Sequence, residues 1–152
     1  MLRQLSHYMK EYRLYAILSP IFMVIEVMAD VYIPFLMRDL VNIGIYQQDS
    51  QVVINIGIKM ILAAIVGIAT GVASARVGAV AGYGFGANVR AALYRKIQLF
   101  SFGNLDQFSV PSLITRLTND CNQMSHAAMM SLRMGVRAPA LFTFALIMAF
   151  NI

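Results

Sequence analysis

From Val52 the chain stays apolar through Ile61-Leu-Ala-Ala-Ile-Val66 to about Gly82, and it does not then end in a turn. Helical periodicity continues through Phe85, Val89, Leu93, Ile97 and Phe100 in steps of four and three, with Arg90, Arg95 and Lys96 off the stripe. One helix over residues 52–102 would be roughly 75 Å long, more than twice the ~30 Å of a hydrocarbon core. Its last third must therefore stand in water. The pattern predicts a membrane helix that continues as a stalk.

The composition agrees with that reading. Hydrophobic residues make up 59% of the 152 and charged residues 12%, about half the share a soluble domain carries. Mean hydropathy is +0.68. The net charge of +5 would invite a nucleic-acid reading in a soluble protein. Here the charges flank apolar spans, with no Lys/Arg run and no base-stacking platform, so membrane orientation explains them and no nucleic acid is expected. Cys121 is the sole cysteine, and His7 and His126 are far apart. These exclude an internal disulfide framework and a metal set. The sequence carries no G-x-x-x-x-G-K-[ST] phosphate loop and no Ser/His/Asp arrangement, so it contains no ATPase motif, catalytic group or cofactor site.

Three further stretches complete an all-α membrane fold. Residues 1–13 place Leu2, Leu5, Met9 and Tyr12 about one turn apart, with Arg3, Lys10 and Arg13 around them. This predicts an amphipathic interfacial helix, a frayed terminus being the alternative. Residues 14–37 are apolar enough to span, with Pro20 and Pro34 near the two ends. That run exceeds the ~7–15 residues of a cleavable signal and no A-x-A site follows, so an uncleaved anchor is expected. Arg38-Asp39 and residues 46–50 read as a short polar loop. Far downstream, Leu117, Cys121, Met124, Ala128, Leu132 and Gly135 form a second stripe, too polar around its edges for lipid. The chain turns apolar again at Ala138, and residues 138–152 fall short of the ~20 a span needs. The expectation is two full spans (14–37 and 52–82), a stalk loop over 83–137, and a third span cut short.

Charge bias orients these segments. The amino terminus has Arg3, Lys10 and Arg13 against Glu11, and residues 85–137 carry six Lys and Arg against Asp106 and Asp120. The 38–51 loop has one Arg against two Asp. The amino terminus and the 83–137 loop are expected in the cytoplasm of a plasma-membrane protein, with the short loop outside.

Two constellations carry chemistry. Ser74, Gly78, Gly82 and Gly86, with Gly67, Gly71, Ala75 and Ala79 beside them, form small-xxx-small ridges that let helix backbones approach. Gly82-Tyr-Gly-Phe-Gly-Ala87 also fits a dinucleotide fingerprint, but a hydrophobic helix and not a strand precedes it, so the match reads as chance. Glu26 and Asp30 lie one turn apart inside the first span. Acids at that depth face a protein interior or an aqueous cavity. Two readings stand: a cation-attracting or proton-titrating lining of a substrate pathway, or an interhelical hydrogen-bonding pair. Between the stalks, Ser109 is a candidate cap and Pro111 falls in a first helical turn. The following helix of about two turns would expose Leu113, Ile114 and Leu117 with nothing in this chain to bury them, which implies a partner surface. An ordinary amphipathic turn is the alternative.

Asn42-Ile-Gly-Ile45, Asn88-Val-Arg90, Leu93-Tyr-Arg-Lys96, Phe108-Ser-Val-Pro-Ser-Leu-Ile-Thr-Arg-Leu-Thr-Asn-Asp120, Ser131-Leu-Arg-Met134 and Arg137-Ala-Pro139 follow one another in that order. This closely resembles the start of the transmembrane domain of type IV bacterial ABC exporters, most of all the heterodimeric multidrug-type subgroup. The likeness covers nearly the whole chain. It implies that residues 112–119 form the first coupling helix, lying against a nucleotide-binding domain and passing on closure driven by ATP. Ser112, Leu113, Thr115, Arg116 and Thr118 would make the contacts, and Asp120 would begin the third helix's stalk. Glu26 and Asp30 would border the translocation cavity. The partners implied are the lipid bilayer, the remaining spans, the nucleotide-binding domain with its ATP and Mg, and a second half-transporter. A family subunit has six spans and then an ATPase domain, so this chain reads as the amino-terminal fragment of an exporter of amphipathic small molecules. Rival expectations are a proton-coupled small drug exporter using Glu26, against which the long cytoplasmic excursion argues, and a non-transporting membrane scaffold.

Overall fold

A backbone in hydrocarbon has no water to bond, so it must satisfy its own N–H and C=O groups, and a helix does so within one segment. The computed structural model describes residues 8–46, 49–100 and 109–150, and no strand occurs among them. A 3-10 turn, Lys10–Tyr12, leads directly into α1, Arg13–Asp39, which a π-helical segment, Leu40–Ile45, prolongs. Helix α2 is Ser50–Gln98. Helix α3 is the short Val110–Thr115, followed by a π segment, Arg116–Asp120, and by α4, Cys121–Phe150. The helical runs Arg13–Ile45, Ser50–Gln98 and Val110–Phe150 are each long and apolar enough to cross a membrane. The chain is an all-α, multi-pass membrane protein.

Helix α2 carries the predicted long helix in one piece of 49 residues, ending at Gln98 rather than 102. Three expectations need correcting. The polar pair Arg38-Asp39 does not open a loop. Arg38 donates to Asp39 at 3.0 Å and lies 4.2 Å over the Phe35 ring, so both charges are satisfied while the helix continues to Ile45. Asp49 caps α2 by accepting from the N–H groups of Gln51 (2.9 Å) and Val52 (3.3 Å) at its start. Residues 112–119 are not a free-standing helix followed by a stalk. Helical backbone runs from Val110 to Phe150, and Asp120 ends a π segment inside it. The interfacial helix is likewise continuous with α1 from Lys10 onward. Its residues 1–7 lie outside the described residues, as do Gln47, Gln48 and Phe108.

The chain divides into two compact units. In the first, residues 8–18 and 76–132, the predicted stripes face inward. Phe85 and Cys121 are buried, and Val89, Leu93, Ile97, Met124, Ala128 and Leu132 are half-buried, whereas Arg90, Arg95 and Lys96 are exposed. Gly135, the last residue of the second stripe, falls in the second unit and is exposed. Gly78, Gly82 and Gly86 are buried on α2. A Cβ on Gly82 would sit 2.9 Å from the Ser125 carbonyl oxygen and 3.1 Å from the Met129 nitrogen, and one on Gly86 would overlap the Ser125 hydroxyl. The small ridge is therefore the place where α4 meets α2. On another side Asn88 donates to the Tyr8 carbonyl at 2.9 Å, and a Cβ at Gly84 would strike the Tyr12 ring. The Gly82–Ala87 string is thus helix-packing surface in mid-helix.

In the second unit, residues 19–75 and 133–150, α1 and α2 are clasped by a reciprocal pair. Ser19 donates to the Ser74 carbonyl at 3.1 Å and Ser74 to the Ser19 carbonyl at 3.0 Å, both side chains fully buried. Without water to compete, such bonds tie helices that lipid gives no apolar reason to associate. Met23, Val27, Leu36 and Ile56 are buried as well.

Candidate functional site

The second unit holds a charged cluster inside its spans. Glu26 and Asp30 project from one face of α1, as their spacing requires. Across from them α2 presents Gly71, whose Cβ would lie 3.1–3.3 Å from the Glu26 carboxyl atoms, and Gly67, 3.5 Å from the Ala29 methyl. The glycines leave room for the carboxylates against the helix backbone. Arg137 of α4 then reaches both acids, donating from Nη1 to Glu26 Oε1 at 2.8 Å and from Nη2 to Asp30 Oδ2 at 3.1 Å. Glu26 is 13% exposed and Asp30 43%. Glu26 Oε2 and Arg133 Nε are buried without hydrogen-bond partners among the described residues.

One guanidinium bridging two carboxylates is an interhelical ion-pair cluster. Arg137 is the residue that sequence reasoning missed here, although it stands in the Arg137-Ala-Pro139 string. Its signal was available: two acids at membrane depth call for a cation, and the next apolar run opens beside one. No group of three or more metal-ligating side chains occurs among the described residues.

The first unit holds the 110–120 segment. Ser109 takes the cap position in extended backbone, φ −64° and ψ 137°, yet its side chain makes no capping bond, and Pro111 occupies the first turn. Leu113 is buried at 8% exposure, so the expectation that this chain offers it nothing to pack against is corrected. Leu117 and Ser112 are half-buried, while Thr115, Arg116, Thr118 and Asp120 are exposed. Ile114 remains an apolar side chain facing out, 56% exposed, with Val110 at 62%. The two threonines spend their hydroxyl protons on their own helix, Thr115 on the Pro111 carbonyl (3.0 Å) and Thr118 on that of Ile114 (2.8 Å). Their oxygens stay open as acceptors.

Arg90 fixes this segment to α2. Its Nε donates to the Leu117 carbonyl at 2.9 Å and its Nη2 to Asn122 Oδ1 at 2.7 Å, so one planar fork grips the π turn from both sides. Beside it a groove of about 680 Å³ is lined by Ala87, Ala91, Tyr94, Leu117 and Thr118. Sequence reading placed Arg90 off the hydrophobic stripe but gave it no partner, because its acceptors lie 27 and 32 residues away.

Comparison with known proteins gives the family of this architecture. The model of the ABC transporter transmembrane region matches residues 16–152. YfiB of Bacillus subtilis (strain 168), described as an uncharacterised ABC transporter ATP-binding protein, is 36% identical over 132 residues, covering 87% of this chain and 23% of that protein. Two proteins of the same description from Mycobacterium tuberculosis, MT1311 and Rv1273c, are each 25% identical over 151 residues, 99% of this chain and 26% of theirs. The chain spans about a quarter of the length of these curated relatives. A match over residues 16–152, on a chain whose three long helices are each able to cross a membrane, places this protein in the ABC transporter transmembrane family.

Proposed function

We propose that this chain supplies the first spans of an ATP-driven exporter of amphipathic small molecules, and that residues 112–119 couple them to a nucleotide-binding domain. The observation that carries the reading is the surface of the 110–120 segment. It presents Val110 and Ile114 exposed beside exposed Thr115, Arg116 and Thr118, while Leu113 and the Arg90 fork hold the backbone in place. An apolar patch with a polar rim on a braced turn is what a docking contact needs. The relatives' description as ATP-binding proteins supports the identity of the partner. ATP and Mg then bind in that domain and do no chemistry in this chain. Closure of the ATPase moves the helix bundles as rigid bodies between inward- and outward-open forms. The resemblance of the 112–120 and 132–139 strings to multidrug-type proteins supports a second, non-identical half-transporter as partner.

Glu26 and Asp30 border the pathway in this reading, with Arg137 neutralising one of their two charges. Their engagement by Arg137 speaks against a proton-coupled exporter that relies on a free Glu26 carboxylate. The test is site-directed cross-linking in the membrane. In a Cys121→Ser background, Ile114→Cys carrying a short bifunctional photo-reagent should join the chain to an ATPase polypeptide, with a yield that changes on adding ATP and vanadate. Cross-linking to lipid or to no ATPase would overturn the coupling role.

A further inference from the structure

A groove of about 660 Å³ opens in the second unit, walled by α1, α2 and α4. That volume lies within the ~300–1,000 Å³ range of ligand sites. Its walls are apolar, with Met28, Val66, Phe144 and Met148 among them, and only two of its lining residues end in polar groups, Tyr32 and Lys59. Gly71 lies opposite Glu26, Gly67 opposite Ala29, and Gly44 opposite Val53, so α2 runs antiparallel to α1. On that register Tyr32 is level with Val66, Lys59 stands about 9 Å beyond them toward the Arg38 end of α1, and Ile25 lies at the opposite end of the groove. Lys59 is exposed and makes no hydrogen bond or ion pair with any described residue.

A cation within a membrane span is costly unless paired or carried to the interface. Here the polar cluster of the same unit does not serve it, since both of that cluster's acids are taken by Arg137. We infer that the groove is a binding site for an anionic phospholipid of the surrounding bilayer. An acyl chain lies along Met28, Val66, Phe144 and Met148, and the Lys59 ammonium, at the end of the groove, holds the phosphate. Charge complementarity selects an anionic headgroup over a zwitterionic one, because the choline of the latter brings a second positive charge against Lys59. This inference is independent of the coupling reading above, for it requires neither transport nor an ATPase.

The absence of tryptophan from the chain makes the test direct. A Phe144→Trp variant has a single indole emitter in the groove wall. The full chain is reconstituted in phosphatidylcholine vesicles, and brominated phosphatidylglycerol or brominated phosphatidylcholine is titrated in as quencher. The expected result is quenching by the brominated phosphatidylglycerol at several-fold lower mole fraction than by the choline lipid. The preference should disappear in Lys59→Gln and survive in Lys59→Arg, with circular dichroism showing all three equally helical. Equal quenching by the two lipids with Lys59 present would overturn the headgroup assignment. Protection of the indole from both lipids would overturn the lipid assignment and show the groove filled by protein.

Discussion

At the scale of single residues, the decisive chemistry is the neutralisation of acids that hydrocarbon will not tolerate. Glu26 and Asp30 are tolerated in a span because Arg137 donates to both, yet the cluster still carries one net negative charge and a buried oxygen with no partner among the described residues. Removing the guanidinium leaves Glu26 buried and unpaired. Arg137→Gln should therefore destabilise the chain by about 1–3 kcal/mol, the lower half of that range applying because Arg137 and Asp30 are 34% and 43% exposed. Adding Glu26→Gln should recover roughly 1 kcal/mol of the loss, since the stranded charge goes with it. Equilibrium unfolding in mixed micelles, followed by circular dichroism, measures both steps. Strict additivity would show that the three groups do not act together. This cluster also shows where the sequence ran out. The i, i+4 spacing revealed that the two acids share a face, but their cation lies 107 and 111 residues away. Nothing local to the first span points to it.

At the scale of elements, helix identity was legible and helix ends were not. The three-and-four periodicity of Phe85, Val89, Leu93 and Ile97 crosses from the apolar to the polar part of α2 without a break, and the structure keeps one helix there. By contrast, Arg38-Asp39 looks like loop chemistry, but local pairing and the π turn after it let the helix carry it. The small ridge makes a sharper claim. Gly82→Ala and Gly86→Ala push a methyl into α4 backbone or Ser125, and each should cost about 1–3 kcal/mol. Gly57→Ala, with nothing within 4 Å of its added methyl, should be neutral or gain up to ~1 kcal/mol from helix propensity. Thermal unfolding of the three variants side by side checks the contrast, and equal effects would mean that the ridge is not a packing surface. The Arg90 fork belongs to this scale too. Arg90→Ala should free the π turn by about 1 kcal/mol, seen as roughly five-fold faster amide exchange over residues 117–122. Exchange confined to its wild-type rate would show that Leu113 alone seats the segment.

At the scale of the whole molecule, the remaining question is which polar segment faces which side of the membrane, and here charge, not packing, carries the argument. Residues 85–137 hold six Lys and Arg against two Asp, while residues 38–51 hold one Arg against two Asp. The cytoplasmic side of membrane proteins retains Lys and Arg, so the expected arrangement has the first segment inside and the second outside. That assignment is also required by any contact between residues 112–119 and an ATPase, since ATP is supplied from the cytoplasm. Cys121 is the sole cysteine and is buried, so replacing it with serine gives a silent background in which one new thiol reports one position. Tyr46, 79% exposed beside the short turn, and Ile114, 56% exposed on the proposed coupling surface, are suitable reporters. In intact cells a membrane-impermeant maleimide should label Tyr46→Cys and leave Ile114→Cys untouched. After permeabilisation both should react. The reverse pattern would place the 110–120 surface outside, out of reach of ATP, and would remove the coupling proposal while leaving the family assignment and the Arg137 cluster intact.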